Sequence, residues 1–229
     1  MTLVKLTKET FNTLKNFATI NKSVVIDSGS KIRTISINKN IYASAEVSEE
    51  FPTQIPIYDL GIFLSGLSLF EQPVFDFSED SKLVIRDETR KQFANYRYSD
   101  PSLIVQPPDK EITLPSVDVE FVLKPHVLDS LLRASSVYQV PDLCLYTNNG
   151  DMLLKVCDKK NDTTNSFEVP VGKSDEDFCY CFKVENLRLQ PEEYNVQIAG
   201  ARIARFLSTN DRHLEYFIAL EPDSKWPFF

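Results

Sequence analysis

The chain of 229 residues has little of what most enzyme active sites are built from. It contains six glycines, two methionines, one tryptophan and two histidines, His126 and His213, which lie far apart in the sequence. No phosphate-binding glycine loop, zinc-protease helix motif or nucleophile-elbow serine motif occurs. A Ser/His/Asp or Cys/His catalytic site therefore has no support in the sequence. We predict that the protein is not an enzyme and has no catalytic residues.

Cysteine is also scarce. Cys144, Cys157, Cys179 and Cys181 contain no C-x-x-C pair, which is the spacing typical of many zinc sites. Cys179 and Cys181 alternate with Tyr180 in an apolar run, as residues on one face of a strand do. We therefore expect buried, reduced thiols, no metal site and no cofactor.

Long apolar runs are missing as well. No stretch approaches the ~20 apolar residues of a membrane-spanning helix, and the first eight residues alternate lysine with apolar side chains, unlike a signal peptide. We expect a soluble intracellular protein without a membrane partner. The 16 phenylalanines, 9 tyrosines and 42% hydrophobic residues supply a substantial core. The length fits one large domain or two of about 110 residues.

A repeated order of elements is the most informative feature that is present. Hydrophobic spacing predicts one amphipathic helix near the start of the chain and another near its middle, over residues 6–18 and 123–135. After each helix come an apolar strand, a polar turn containing glycine and a second strand, over residues 23–37 and 143–156. A short second helix follows in each half, over residues 59–69 and 183–189, and three strand-like runs close each half.

The sequence thus predicts two similar halves that combine helices and strands. Pro101, Pro107 and Pro108 lie between them, in residues 100–114, and favour an extended linker. An ordinary surface loop is the alternative if the repeat is accidental. The matching order of elements favours two domains, residues 1–107 and residues 108–229.

Acidic residues outnumber basic ones, 33 to 25, for a net charge of −8. At first sight this balance argues against a nucleic-acid partner. The predicted helical segments, however, sum to +4, which leaves −12 for the rest of the chain. On the first helix Lys8, Asn12, Lys15 and Thr19 lie within about 60° of one another, and Lys22 continues the series. This basic stripe is either an ordinary solvated face or a surface for phosphates.

The element order and several segments resemble the DNA sliding clamps, the ring-shaped processivity factors of replicative polymerases, and most closely the clamps of T-even-type bacteriophages. The similar segments span the chain in the same order: residues 14–21, 57–60, 63–64, 67–69, 100–102 and 219–224. The resemblance implies an α+β fold with two similar clamp domains per chain. In such clamps the helices lie inside a ring and an antiparallel β layer lies outside. A two-domain subunit of this size implies a homotrimer.

The resemblance also implies a function. Such a ring encircles double-stranded DNA without sequence preference, tethers the DNA polymerase and is loaded by an ATP-driven clamp loader, here in the cytoplasm of an infected bacterial host cell. Basic residues expected to face the DNA are Lys8, Lys15, Lys22, Arg133, Lys183 and Arg188. Residues expected to form an apolar pocket for a peptide of the polymerase or clamp loader are Val105, Pro107, Leu220, Pro222 and Trp226. A subunit interface is expected at Tyr96, against the strand around Phe167 and Val169.

Two other functions stay open at the level of the sequence. A monomeric two-domain adaptor would use its basic helices to bind acidic protein partners without encircling DNA. An enzyme with an unrecognised carboxylate site is the second alternative, although the sequence singles out no particular aspartate or glutamate.

Overall fold

The structure, a computed structural model, describes residues 2–87, 91–200, 202–210 and 213–224. The chain divides into two compact units. Unit 1 comprises Met1–Asp109 with Arg212–Leu214, and unit 2 comprises Lys110–Asp211 with Glu215–Phe229. Each unit combines helix with antiparallel strands, so the predicted α+β class is confirmed.

Unit 1 begins the chain and contains two helices, α1 (Lys8–Ile20) and α2 (Leu60–Leu67). Its strands are β1 (Leu3–Lys5), β2 (Val24–Ile26), β3 (Gly29–Ile35), β4 (Ile41–Phe51), β5 (Ile55–Ile57), β6 (Pro73–Asp76), β7 (Lys82–Asp87) and β8 (Phe93–Arg97). Four of them form an antiparallel sheet in the order β1-β6-β7-β8. Strand β2 pairs with β5, and β3 pairs with β4.

Helix α1 follows the predicted amphipathic pattern and packs against α2, β3 and β4. Its buried residues are Thr10, Thr13, Leu14, Phe17 and Ile20. A buried hydroxyl needs a hydrogen-bond partner, and the Thr10 hydroxyl donates to the buried Glu49 carboxylate at 2.5 Å. The helix is confirmed, but Phe11, predicted on its apolar face, is only half-buried because threonines occupy part of that face.

Unit 2 contains the helix α3 (Pro125–Tyr138). Its strands are β9 (Val119–Leu123), β10 (Asp142–Asn148), β11 (Asp151–Cys157), β12 (Phe167–Lys173), β13 (Cys179–Lys183), β14 (Tyr194–Ala199), β15 (Ile203–Ser208) and β16 (Leu214–Ala219). One sheet has the order β12-β11-β10-β13, and β9, β14, β15 and β16 pair in that order. Within the described residues, no helix has the length and apolar composition needed to cross a membrane.

The two units contain the same order of elements, which confirms the predicted repeat. Each has a strand, a long helix, four strands, a short helical segment and three closing strands. In each, the first strand pairs with the first of the closing three, β1 with β6 and β9 with β14. The sequence pattern does not predict β1 and β9, because both are short strands placed directly before a helix.

One of the two predicted hairpins is present. Asn149 and Gly150, with φ of 50° and 83°, join β10 to β11 in a two-residue turn. Positive φ at both turn residues matches the right-handed twist of the flanking strands. The prediction for unit 1 is wrong, because β2 pairs with β5 while β3 pairs with β4. The polar turn after Ile26 therefore connects strands of different sheets.

The two predicted short helices have different outcomes. The helix over residues 59–69 is confirmed as α2, and Asp59 caps it by accepting a hydrogen bond from the Ile62 N–H at 2.9 Å. The prediction of a helix over residues 183–189 is wrong, because Lys183 ends β13 and a 3-10 turn, Val184–Asn186, follows. Lys183 pairs with Asp142 of β10, so the sheet already includes the first residue of the predicted helix.

The proline-rich segment contains little regular structure, as predicted. Asp100 accepts a hydrogen bond from the Ser102 N–H at 2.9 Å and caps a 3-10 turn, Pro101–Leu103. Residues 104–118, all of them described, contain neither helix nor strand. Because proline has no N–H group to donate, the prolines of this segment disfavour the backbone hydrogen bonding of helices and strands.

The cysteines differ from expectation. Cys144 and Cys181 lie directly opposite each other on β10 and β13 and form a disulfide. The prediction that all four cysteines are reduced is therefore wrong for this pair. Strand register brings together two residues that are 37 positions apart, and sequence spacing does not reveal such a pair. Cys157 and Cys179 lie outside the disulfide.

Candidate nucleic-acid interface

A row of exposed residues follows α1 on the side opposite its buried face. Lys8, Asn12, Lys15 and Thr19 are all exposed, at the three- and four-residue spacing that places side chains on one face of a helix. Glu9 is the single acidic residue within the helix. The structure therefore brings the predicted basic residues of α1 together on one surface of unit 1.

Lys22 lies between the end of α1 and the start of β2. Its carbonyl accepts a hydrogen bond from the Leu60 N–H at 2.6 Å, which ties this segment to the start of α2. Its ammonium group lies 5.6 Å from the centre of the Tyr58 ring. Tyr58 is half exposed, so this cation–π contact holds the charge of Lys22 at the surface.

In unit 2, α3 presents Arg133 to solvent. The side chain of Arg133 is 79% exposed, and its ion pair with Asp129, at 3.6 Å, joins two exposed groups. Such surface pairs contribute about 0–1 kcal/mol and exchange readily. His126 and Val137, which are seven and four residues from Arg133 on α3, are also exposed, and Ser130 is half-buried. Arg133 is therefore an accessible cation.

The charged groups of Lys183 and Arg188 are bonded to other groups of the same chain. The ammonium group of Lys183 lies 2.5 Å from the buried Asp142 carboxylate and 3.8 Å from that of Glu221. The hydrogen bond to Asp142 raises the pKa of Lys183. Arg188 is exposed, and its Nε donates to the Glu185 carbonyl at 2.9 Å. The geometry of Lys183 therefore indicates a structural ion pair and does not favour a contact with DNA.

The helices have less positive charge than the predicted segments. Within its observed bounds α1 contains two lysines and one glutamate, α2 no charged residue, and α3 one arginine and one aspartate, a sum of +1 instead of +4. Lys5 lies in β1, Lys22 follows α1, and Lys124 precedes α3 as its N-cap. Lys124 is an exposed cation that the predicted DNA-facing set leaves out, although Pro125 marks the helix start beside it. Positive charge thus lies at helix ends as well as along one helix.

Two exposed strands form the ends of sheets. Strand β8 is the last of β1-β6-β7-β8, and β12 is the first of β12-β11-β10-β13. The N–H and C=O groups on the outer side of an edge strand can pair with a further strand. Tyr96 of β8 is half-buried, because its ring packs edge-on against Phe63 with 4.9 Å between ring centres. On β12, Phe167 is exposed and Val169 is half-buried.

Comparison with known proteins identifies the family. A family model described as DNA polymerase processivity factor matches residues 7–106, and one described as gp45 sliding clamp, C terminal, matches residues 120–222. The sliding clamp of Vibrio phage KVP40 is 37% identical over 225 residues, which cover 95% of this chain and 99% of that protein. The chain belongs to the T4-type phage sliding clamps. The sliding clamp of Enterobacteria phage T4 is also similar, at 30% identity over 98% of this chain and 100% of its own length.

The fold of the clamp is shared more widely than its sequence. A solved structure of A. fulgidus PCNA, bound to the C-terminal region of FEN-1, has a TM-score of 0.71 at 12% identity. The match covers 98% of this chain and 100% of that chain. The resemblance drawn from the sequence is confirmed, and sliding clamps are processivity factors rather than enzymes.

The predicted peptide-pocket residues of the clamp differ in exposure. In unit 1, Val105 is exposed and Pro107 is half-buried. In unit 2, Pro222 is exposed, whereas Leu220 is only 8% exposed and belongs to the core of that unit. Trp226 lies outside the described residues. The peptide pocket therefore stays a prediction.

A polar network that the sequence does not predict holds the C-terminal segment of the clamp. The Lys159 ammonium group lies 3.3 Å from the Glu221 carboxylate and 2.5 Å from that of Asp223. Burial lowers the pKa of Lys159, but these two carboxylates raise it above its ordinary value. The Ser224 hydroxyl accepts a hydrogen bond from the Cys181 N–H at 2.9 Å. These partners are more than 40 residues apart in sequence, so no local motif signals the network.

Proposed function

We propose that three copies of the clamp close into a ring that encircles duplex DNA and tethers a phage DNA polymerase during processive synthesis. The observation that carries the proposal is the exposed row of Lys8, Lys15 and Lys22 on a chain whose net charge is −8. Lysine contacts to phosphates hold DNA without reading its bases. The acidic remainder of the chain repels DNA from other surfaces. Because encirclement itself prevents escape, a few cations per subunit suffice.

The residues proposed to face the DNA are those whose charges are accessible. Lys8, Lys15, Lys22 and Arg133 meet this condition, and Lys124 joins them at the start of α3. Arg188 stays in the set as an exposed guanidinium whose Nε is already hydrogen-bonded. Lys183 is left out, because removing its ammonium group from the buried Asp142 carboxylate would leave a buried charge unpaired.

Ring closure is proposed to join strand β8 of one copy to strand β12 of the next. Both strands are at sheet edges, so their pairing would continue an antiparallel sheet across the subunit boundary. Tyr96, Phe167 and Val169 would supply side-chain contacts at this boundary. Pro170, in the middle of β12, has no N–H group, so the joint would have one hydrogen-bond donor fewer at that position. Two similar units per chain support a trimer of six similar domains.

The remaining parts of the proposal concern partners and organisation. The two family matches, over residues 7–106 and 120–222, support a division into domains 1–107 and 108–229. The PCNA structure that contains a bound segment of FEN-1 supports a peptide site for the polymerase and for an ATP-driven clamp loader. Phage relatives support action in the cytoplasm of an infected bacterial host. We propose no catalytic activity.

Processive primer extension tests the proposal directly. The cognate polymerase would copy a primed circular template with and without the clamp and an ATP-driven loader. We expect long products only when clamp, loader and ATP are all present. A linear template with open ends should lose the stimulation, because a ring slides off a free end, whereas a polymerase-binding adaptor would stimulate both templates equally.

Mass in solution distinguishes the ring from a monomeric adaptor. Sedimentation at micromolar concentration should give about three times the 26.2 kDa of one chain. A stable species of one chain mass that still stimulates the polymerase would contradict the ring.

A further inference from the structure

All four cysteines of the clamp lie on one face of the sheet β12-β11-β10-β13. Cys144 is opposite Cys181 on β13 and opposite Lys155 on β11. Cys157 follows Lys155 by two residues, and Cys179 precedes Cys181 by two. Residues directly opposite in antiparallel strands share a face, as do residues two apart in one strand. The buried core residues of these strands, such as Leu145 and Tyr180, are on the other face.

Three of the four sulfur atoms form a tight cluster. The sulfurs of Cys144, Cys179 and Cys181 all lie within 4.8 Å of one another. The Cys179 and Cys181 sulfurs are 3.8 Å apart, and Cys144 is joined to Cys181. Thiolates around a tetrahedral zinc ion, with Zn–S bonds of about 2.3 Å, are about 3.8 Å apart. The spacing of Cys179 and Cys181 therefore already matches that of two ligands of one metal ion.

The surroundings of the cluster suit a bound ion. The cluster opens onto a cavity of about 390 Å³ that is also lined by Cys157, Lys155 and Lys159. The backbone N–H of Lys159 donates to Asp142 at 3.2 Å, which anchors the loop that borders the cavity. Lys155, opposite Cys144 on β11, brings a positive charge to the lining of the cavity, where it also forms an ion pair with Glu168 at 3.9 Å. Strands β10 and β13 are paired along their length here, so the sulfurs are presented by a rigid sheet.

We propose that, in the reduced clamp, Cys144, Cys179 and Cys181 bind one thiolate-preferring divalent metal ion of the Zn²⁺ class. A dithiol reductant first breaks the Cys144–Cys181 bond: two cysteine thiols form, and the reductant is oxidised to its own disulfide. Metal binding then releases three protons and transfers no electrons. Water takes the fourth position, which faces the cavity, because three protein ligands with one open position are a recurrent zinc arrangement.

The disulfide and the metal site exclude each other, since both use Cys144 and Cys181. The oxidised clamp keeps one thiol of the three and should not bind the ion. The thiol of Cys157 provides an internal control. It lines the same cavity, yet among the described residues it is not part of the cluster of mutually close sulfurs.

Cobalt titration of the full-length clamp tests the site, with no DNA or polymerase present. Protein reduced by a dithiol and then freed of it without oxygen would be titrated with Co²⁺, followed by its thiolate charge-transfer and tetrahedral d–d absorption. We expect one Co²⁺ per chain, displaced by Zn²⁺. The oxidised clamp should show no such absorption.

Single substitutions identify the ligands. Cys144→Ser, Cys179→Ser and Cys181→Ser should each weaken Co²⁺ binding by more than about 100-fold, since loss of an outer-shell partner alone costs about 10- to 100-fold. Cys157→Ser should weaken Co²⁺ binding by clearly less than any of these three substitutions, because the Cys157 sulfur lies outside the cluster of mutually close sulfurs. Thermal unfolding of the metal-free variants checks their folding. If one does not fold, Cys179→Ser decides, because Cys179 is not in the disulfide.

Three results would overturn the metal site. They are the absence of stoichiometric Co²⁺ binding by the reduced clamp, unchanged binding by Cys179→Ser, and an equal loss in Cys157→Ser and Cys179→Ser. The measurement is an absorption spectrum of the isolated chain. A negative Co²⁺ titration would therefore not contradict the proposed ring, and a negative test of the ring would not contradict the metal site.

Discussion

The basic residues predicted to face DNA differ in what their charged groups contact. Lys8 and Lys15 of α1 are exposed, and Arg133 forms an exposed ion pair with Asp129. Lys183 contacts a buried carboxylate. Lysine is therefore accessible to the proposed phosphate partner at one position and paired with a buried carboxylate at another. Substitution experiments can separate the two roles, because one affects DNA contacts and the other affects stability.

Lys15→Ala should weaken processive synthesis without unfolding the protein. The expected result is shorter products from the loaded clamp. Direct DNA binding, where measurable, should lose about 0.9 from its salt slope for the one phosphate contact removed. The free energy of unfolding should change by less than about 0.5 kcal/mol, since the side chain is exposed.

Lys39→Ala is the matched control for this substitution. Lys39 is an exposed lysine outside α1, in the turn between β3 and β4 of the same unit. Equal losses of processivity in both variants would show that the overall charge of the chain matters, and would contradict a DNA-facing role for α1.

Lys183→Ala should instead lower stability. It leaves the Asp142 carboxylate buried without its ion-pair partner, which should cost about 1–3 kcal/mol in the free energy of unfolding measured with urea. Arg133→Ala removes the basic partner of an exposed pair and should cost less than about 0.5 kcal/mol. If the two substitutions cost the same, the ion pair of Lys183 does not support the fold.

At the scale of elements, strands β6 and β7 are joined by a buried carboxylate as well as by their backbone pairing. The Asp76 side chain is inaccessible to solvent and accepts a hydrogen bond from Arg86 Nε at 2.7 Å. The Ser78 N–H donates to its other oxygen at 3.0 Å. Burial raises the pKa of Asp76, but the hydrogen bonds from Arg86 and Ser78 outweigh it and leave the pKa below its ordinary value of 3.8.

This pKa predicts how stability depends on pH. Because the folded pKa is below the unfolded one, the carboxylate contributes fully above about pH 4 and its contribution is lost as the pH falls through the folded value. Asp76→Asn should lower the free energy of unfolding near neutral pH by about 1–3 kcal/mol and flatten its decline in acid. Urea titrations at several pH values measure both effects. Asp80→Asn, at an exposed carboxylate of the following loop, should change neither.

Local signals predict some elements and miss others for identifiable reasons. The β10–β11 hairpin is predictable, because Asn149 and Gly150 readily adopt the positive φ that a two-residue turn requires. The turn after Ile26 looks similar in sequence, yet β2 pairs with β5 and β3 pairs with β4. This pairing depends on contacts between residues that are distant in sequence, so the local turn signal does not determine it. The helix predicted from residue 183 fails for the same reason, since pairing with β10 extends the strand through Lys183.

For the whole molecule, the candidate DNA surface is partly visible in the sequence. Helical spacing identifies Lys8 and Lys15, because it depends only on neighbours along the chain. The ion pair of Lys183 and the cluster around Cys181 are not visible, because each forms between distant strands. The proposed subunit boundary likewise depends on sheet edges, and local sequence does not specify which strand ends a sheet.

Val169→Arg should weaken the proposed trimer. A charged side chain on β12 would be buried without a partner at the joint, which should raise the trimer dissociation constant at least tenfold, or about 1.4 kcal/mol. Sedimentation across a concentration series measures the change. Ile37→Arg, at a 69% exposed residue after β3, should leave the trimer intact. A trimer unchanged by Val169→Arg would place the subunit boundary elsewhere.

Pro170 also affects the tendency of a single subunit to aggregate before it assembles. A newly made chain would display β12 as an open edge, and an open edge can pair with strands of unrelated proteins and lead to aggregation. The missing N–H at Pro170, with the charged Glu168 and Lys173 on the same strand, makes such indiscriminate pairing less favourable. Replacing Pro170 would therefore endanger the solubility of the unassembled subunit before it affected the finished assembly.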